Sequence, residues 1–134
     1  MKGVDTSVLL ALLDGERPAR ELIARQRGVE IATTELNLLE LYYLASRGPS
    51  RSRAGRRASL ERLRRKLTVL PVDARAIGQA ARRLGKGGEK AAPVILAMLG
   101  AFEANGCEEL FTHEVGLDAG SWSFKITQIK HHDA

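Results

Sequence analysis

The stretch Val4-Asp5-Thr6-Ser7-Val8-Leu9-Leu10-Ala11-Leu12-Leu13 decides the fold. A β-prone run over residues 2–5 passes directly into a helix over 6–13, and Asp, Thr and Ser at the junction are all favoured helix caps. The helix is apolar all round, as expected of an element buried against a parallel sheet that is covered on both faces. Outward from this junction, short β-prone runs alternate with helical ones. The spacing predicts strands at 2–5, 29–32, 68–70, 109–112 and 122–129, and helices at 6–13, 17–27, 34–46, 56–66, 73–84 and 92–105. Helix 92–105 carries a second continuous apolar run, Val94-Ile95-Leu96-Ala97-Met98-Leu99. Such alternation implies an α/β fold, a three-layer sandwich with a central parallel sheet flanked by helices. In sheets of this kind the binding crevice lies at the C-terminal ends of the strands, which is where Asp5 and Thr112-His113-Glu114 fall.

A chain of 134 residues with 44% hydrophobic content suits one domain over residues 1–134. No apolar run reaches the roughly 18 residues that span a bilayer, and no signal peptide is evident, so no membrane association and a cytoplasmic location are expected. Cys107 is the only cysteine. It excludes an intramolecular disulfide and a thiolate zinc cluster, and reads as a small buried hydrophobe. The net charge of +5 is concentrated: residues 47–66 hold nine Arg or Lys against one acid, Glu61. A polyanion is the partner this suggests, with Arg51, Arg53, Arg56 and Arg57 as phosphate contacts. Aromatic content of 4% disfavours base stacking as the main mode of binding. The run Gly48-Pro49-Ser50-Arg51-Ser52-Arg53-Ala54-Gly55 is rich in turn formers and reads as an exposed, mobile link between helices. Lys86-Gly87-Gly88 lacks the spacing and the Lys-Ser/Thr ending of a phosphate-binding loop.

Three acids stand at unusual positions. Asp5 ends the first strand, where its alternatives are a helix cap or a ligand. Glu40 has Leu36, Tyr43 and Leu44 at helical spacing and so projects from a stripe expected to face the protein, with Asn37 one turn earlier as a hydrogen-bond partner. A buried carboxylate needs compensation, by a salt bridge or a shared cation. Glu114 follows the strand at 109–112. Three carboxylates at one sheet edge repel unless a cation neutralises them, and oxygen-only ligands point to Mg²⁺ or Mn²⁺. Such a cation serves hydrolysis of a phosphodiester. A phosphatase-like use of Asp5 as nucleophile is disfavoured, because no Asp-x-Asp pattern or suitably placed lysine accompanies it. Asp73 reads as a helix cap, Glu35 as solvent-facing, His113 as exposed, and His131-His132 as part of a polar tail. Tyr42 and Tyr43 read as packing or dimer contacts, and Trp122 and Phe124 as core residues on one face of the last strand.

The opening 4–13, followed by Gly15-Glu16, resembles that of PIN-domain proteins, most closely the VapC toxin ribonucleases. Thr33-Thr34-Glu35-Leu36-Asn37-Leu38-Leu39-Glu40-Leu41-Tyr42-Tyr43 is similar to the family's second motif, and Leu67-Thr68-Val69-Leu70-Pro71-Val72-Asp73 to its middle section. The resemblance implies a Mg²⁺- or Mn²⁺-dependent endoribonuclease, a homodimer and a small antitoxin partner. It makes Asp5 and Glu40 metal ligands and Thr6 or Ser7 a supporting group. The motif around Thr112-His113-Glu114 places Glu114 where aspartate is commoner, with Thr112 beside it and Leu117 in place of the usual aromatic. Asp118 lies close enough to be an alternative to Glu114 there. Pro93 stands where the family's third acid opens a helix, which makes Glu89 a candidate replacement. The resemblance also admits a catalytically impaired module that binds RNA or a protein partner.

Overall fold

The computed structural model describes residues 1–47, 50–117 and 121–130, with the side chains of 50–52 outside that set. Five parallel strands form one sheet in the order β3-β2-β1-β4-β5. The strands are β1 (Lys2–Val4), β2 (Ile31–Thr34), β3 (Thr68–Leu70), β4 (Glu109–Thr112) and β5 (Lys125–Gln128). The helices are α1 (Thr6–Leu13), α2 (Arg17–Ala24), α3 (Glu35–Ala45), α4 (Ser50–Arg65), α5 (Ala74–Ala81) and α6 (Pro93–Ala104).

Alternation along the strands splits the core in two. Val4 and Phe111 point to one face, where they pack with Val8, Leu9, Leu41 and Leu60 from α1, α3 and α4. Ala32, Leu70 and Leu110 point to the other, against Met98, Leu99 and Phe102 of α6. Both faces of the sheet are therefore covered, and the polar residues of its central strands stand towards their ends, Lys2 and Glu109 at the start and Thr33, Thr34 and Thr112 at the finish. Two glycines set the packing distance on the α6 side. A Cβ on Gly3 would lie 2.6 Å from the Phe102 ring, and one on Gly100 would lie 2.1 Å from the Ala76 carbonyl oxygen of α5. Only hydrogen fits at either place.

The sheet reverses direction of growth at β1: the chain moves outward through β2 and β3, then crosses to add β4 and β5 on the other side. The crevice outside the strand ends at such a reversal is the usual ligand position in open α/β sheets. Asp5 follows β1 and His113 follows β4, so the topology alone sets them side by side.

Several expectations require correction. The second strand starts at Ile31, because Val29 belongs to a turn in which its amide donates to the Gln26 carbonyl at 3.1 Å. α4 begins at Ser50, not at residue 56, so most of the expected link is helix; the remainder, Gly48 and Pro49, lies outside the described residues. Trp122 and Phe124 precede β5, where they stack with ring centroids 5.9 Å apart and Phe124 is buried. Cys107 is buried, Asp73 caps α5 and Glu35 is exposed, as read from the sequence. Among the described residues no helix is long and apolar enough to cross a membrane.

Candidate functional site

Asp5 sits in extended backbone at the end of β1 and caps α1. Its Oδ1 accepts from the Val8 amide at 3.2 Å and from the Ser7 hydroxyl at 2.6 Å, and its Oδ2 accepts from the Thr112 hydroxyl at 2.5 Å. Only 3% of the residue is exposed. Burial raises the carboxyl above its ordinary pKa, and the bonds from Ser7, Thr112 and Val8 offset this only in part. The two hydroxyls also receive bonds. The His113 amide donates to Ser7 Oγ at 2.9 Å and the Glu114 amide to Thr112 Oγ1 at 2.9 Å. The end of β4 is thus stitched to the start of α1 through Asp5, and the chain carrying Glu114 is fixed two bonds away from it.

A second buried polar set lies at the end of β2. Thr34 caps α3, accepting from the Asn37 amide at 3.2 Å and donating its hydroxyl to Asn37 Oδ1 at 2.7 Å. Asn37 Nδ2 donates to Thr6 Oγ1 at 3.0 Å, which joins α3 to the residue next to Asp5. Thr33 donates to the Val4 carbonyl at 2.8 Å. Thr6, Ser7, Asn37 and Thr112 are all buried or partly buried and all serve this junction.

Glu40 is the main departure. The buried face of α3 is Asn37, Leu38, Leu41 and Ala45, so Glu40 is exposed, and no buried carboxylate requires compensation there. It lies one helical turn beyond Asn37. Glu114 is also exposed. Neither side chain has a partner among the described residues, and no group of three or more His, Cys, Asp or Glu side chains among them is gathered tightly enough to hold a metal. Glu89 is engaged elsewhere: its Oε2 accepts from the Gly85 amide at 2.9 Å, and bonds from its own backbone amide and from that of Gly85 hold its carboxyl below the usual range. Pro93 opens α6 at an exposed position, where its fixed φ and missing N–H suit the first helical turn. Asp118, His131 and His132 lie outside the described residues.

His113 was expected to be exposed and is instead buried, with Nδ1 2.8 Å from the Ile129 carbonyl. No local signal marks this, because its cover comes from the far end of β5. Of the four arginines, Arg56 pairs with Asp14 at 3.6 Å, Arg53 and Arg57 are exposed, and the Arg51 side chain is outside the described set. The candidate ligands are all oxygen, the chemistry of hard cations. Asp5 has the hydroxyl bracing that orients a ligating carboxylate, and its Oδ2, with one bond received, retains a lone pair.

A parallel α/β sheet with an acid braced at its reversal point defines a class of small catalytic and binding domains. A profile of the PIN domain matches residues 3–97, and the chain belongs to that family. Solved structures agree in fold. VapBC2 from Rickettsia felis, bound to a DNA fragment from its promoter, superposes with a TM-score of 0.81 at 12% identity over 96% of this chain and 98% of that one. FitAcB from Neisseria gonorrhoeae gives 0.77 at 12%, covering 94% and 96%. VapC20 from Mycobacterium tuberculosis, described as a Sarcin-Ricin loop cleaving toxin, gives 0.67 at 23%, covering 91% and 96%. No curated protein matches the sequence.

Proposed function

We propose that this PIN-domain protein is a VapC-like endoribonuclease that hydrolyses RNA phosphodiesters with Mg²⁺ or Mn²⁺ held by Asp5, Glu40 and Glu114. The observation that carries the reading is Asp5 itself. A carboxylate buried at a cost and braced by two hydroxyls at a strand end is poorly explained by helix capping alone, since an exposed Asp73 caps α5 without burial. Mg²⁺ commonly keeps several waters and takes one or two carboxylates together with substrate phosphate oxygens. Asp5 is a fixed acid of that kind, and Glu40 and Glu114, exposed and unengaged among the described residues, are the side chains free to turn towards the same cation. When bound, the cation lowers the pKa of a water and neutralises charge on a phosphoryl oxygen.

The protein's own residues do the rest. Ser7, donating to Oδ1, and Thr112, donating to Oδ2, orient Asp5 and leave a second lone pair of Oδ2 free. Asn37 and Thr6 fix α3, the helix that carries Glu40. Arg51, Arg53, Arg56 and Arg57 of α4 offer guanidiniums to the RNA backbone, Arg56 after release from Asp14. The reading includes a cytoplasmic setting, a homodimer and an antitoxin partner; the last is supported by the description of structural neighbours as VapBC complexes.

One observation favours a second reading. Pro93 occupies the start of α6 and neither Glu89 nor any other described acid replaces the missing carboxylate, which fits a PIN module that binds RNA or a partner without cutting. Calorimetry with Mn²⁺ and cleavage of an RNA substrate decide between the two. The nuclease reading expects binding and cleavage in the wild type and loss of both in Asp5→Asn. Silence in the wild type with cleavage gained in Pro93→Asp establishes the impaired module.

A further inference from the structure

Arg83 and Glu103 form a buried ion pair away from the Asp5 junction. Arg83 lies two residues beyond α5 and Glu103 is the penultimate residue of α6. Arg83 Nη2 donates to Glu103 Oε1 at 2.6 Å, and the two side chains are 10% and 11% exposed. The pair is not closed on itself. Glu103 Oε2 accepts from the Ser123 amide at 3.1 Å and from the Ser123 hydroxyl at 2.7 Å, and the Arg83 guanidinium lies over the Trp122 ring, 4.6 Å from its centroid. Trp122 stacks in turn on Phe124, which meets Phe102 of α6 edge-on with centroids 6.3 Å apart. Leu117, three residues after Glu114, is buried in the same apolar cluster as Phe102 and Phe124. Arg83 is itself fixed from behind: its carbonyl accepts the Lys86 and Gly88 amides, each at 3.0 Å, and a Cβ on Gly88 would lie 2.6 Å from that oxygen.

Stability is a poor account of this pair. Arg83 Nε is buried and has no hydrogen-bond partner among the described residues, so the guanidinium is incompletely repaid for leaving water. An apolar pair of similar volume commonly serves a core as well or better. What the ion pair adds is direction. One carboxylate with an oxygen on Arg83 and the other on Ser123 sets where the chain enters β5, and a planar guanidinium sets how Trp122 lies. The chain bearing Glu114 is thus held on both sides, by the His113 and Glu114 amides on Ser7 and Thr112 before it and by Leu117 and Trp122 after it. We propose that Arg83 and Glu103 are positioning residues for Glu114, acting through Ser123, Trp122 and the cluster that buries Leu117. The proposal rests on the reading of Glu114 as a cation ligand.

The test compares the full chain with two variants. Ser123→Ala removes one exposed hydroxyl, and Arg83→Met/Glu103→Leu replaces the pair by apolar side chains. Amide exchange followed by NMR reads His113 and Glu114 against Leu9 in the core, urea denaturation reads stability, and calorimetry reads Mn²⁺ affinity. In the double variant the His113 and Glu114 amides should exchange at least about tenfold faster, as in a local opening, with the Leu9 rate and the urea midpoint unchanged. Ser123→Ala should speed the same two amides by less. Mn²⁺ affinity of the double variant should fall about tenfold, the low end for groups that orient a ligand. Unchanged exchange at His113 and Glu114 in both variants overturns the proposal. So does a rise shared by Leu9 with a lowered urea midpoint, which would make the pair an ordinary core support, or an unaltered Mn²⁺ affinity despite local loosening. Absence of Mn²⁺ binding in the wild type defeats the cation reading, while the exchange comparison still upholds or overturns the hold on Glu114.

Discussion

Glu109 and Asp5 occupy opposite ends of the same two neighbouring strands and are treated in opposite ways. Glu109 begins β4, with Lys2 Nζ of β1 at 2.7 Å on one side and the Thr127 hydroxyl and Lys125 of β5 on the other. Burial pushes its carboxyl up, but Lys2, Thr127 and Lys125 pull it further down, so that it ends below the usual range. Asp5 has hydroxyls and an amide but no cationic side chain bonded to it, and burial wins. One acid ties three strands together. The other is held ionisable where ionisation is unfavourable, and that arrangement is useful to a site and harmful to stability.

The sharpest way to break the contrast is Asp5→Asn. It should lower RNA cleavage by at least about 100-fold, the scale of losing a positioned charge in a catalytic site, while raising the thermal midpoint at neutral pH. Unchanged cleavage, or a lower midpoint, makes Asp5 a structural cap. Glu109→Gln should do the reverse, costing about 1–3 kcal/mol because Lys2 and Thr127 lose their acceptor, with cleavage per folded molecule unaltered. Urea denaturation of both variants and the wild type measures this.

The pH dependence in chelator-treated protein should also split. Asp5 binds its proton more tightly folded than unfolded, so its contribution declines as pH rises from the ordinary carboxylate value to its raised folded one. Glu109 contributes fully above the ordinary value and loses that contribution as pH falls through its lowered folded pKa. The gain from Asp5→Asn therefore grows with pH, and the loss from Glu109→Gln shrinks in acid; parallel curves for the two variants would remove the distinction. The smallest effect belongs to Glu89→Gln. Its exposed carboxylate bonds only loop amides, so cleavage should stay within about twofold and the urea midpoint should not move. A large loss of cleavage would restore Glu89 as a ligand.

Elements whose pattern had one physical reading were legible from sequence: α1, β3 and β4 start and stop where apolar runs meet their caps and turns. The strand-end position of Asp5 and its meeting with Thr112 follow from the same logic. Glu40 was misplaced because α3 is apolar on its outer face too, with Leu39 and Tyr43 in solvent, and periodicity cannot tell a core stripe from an uncovered one. The start of α4 was missed because Ser, Arg and Ala after Gly48-Pro49 read as loop by composition although Arg and Ala are good helix formers. The burial of His113 depends on Ile129, which no local window contains.

The contact of Gly100 with the Ala76 carbonyl has a mechanical consequence. With no side chain between them the two helices meet backbone to backbone, so any side chain at position 100 would drive α6 off α5 and move its N-terminal tip at Pro93 with it. Engineering that aims to restore an acid at that tip is best done without touching this seam.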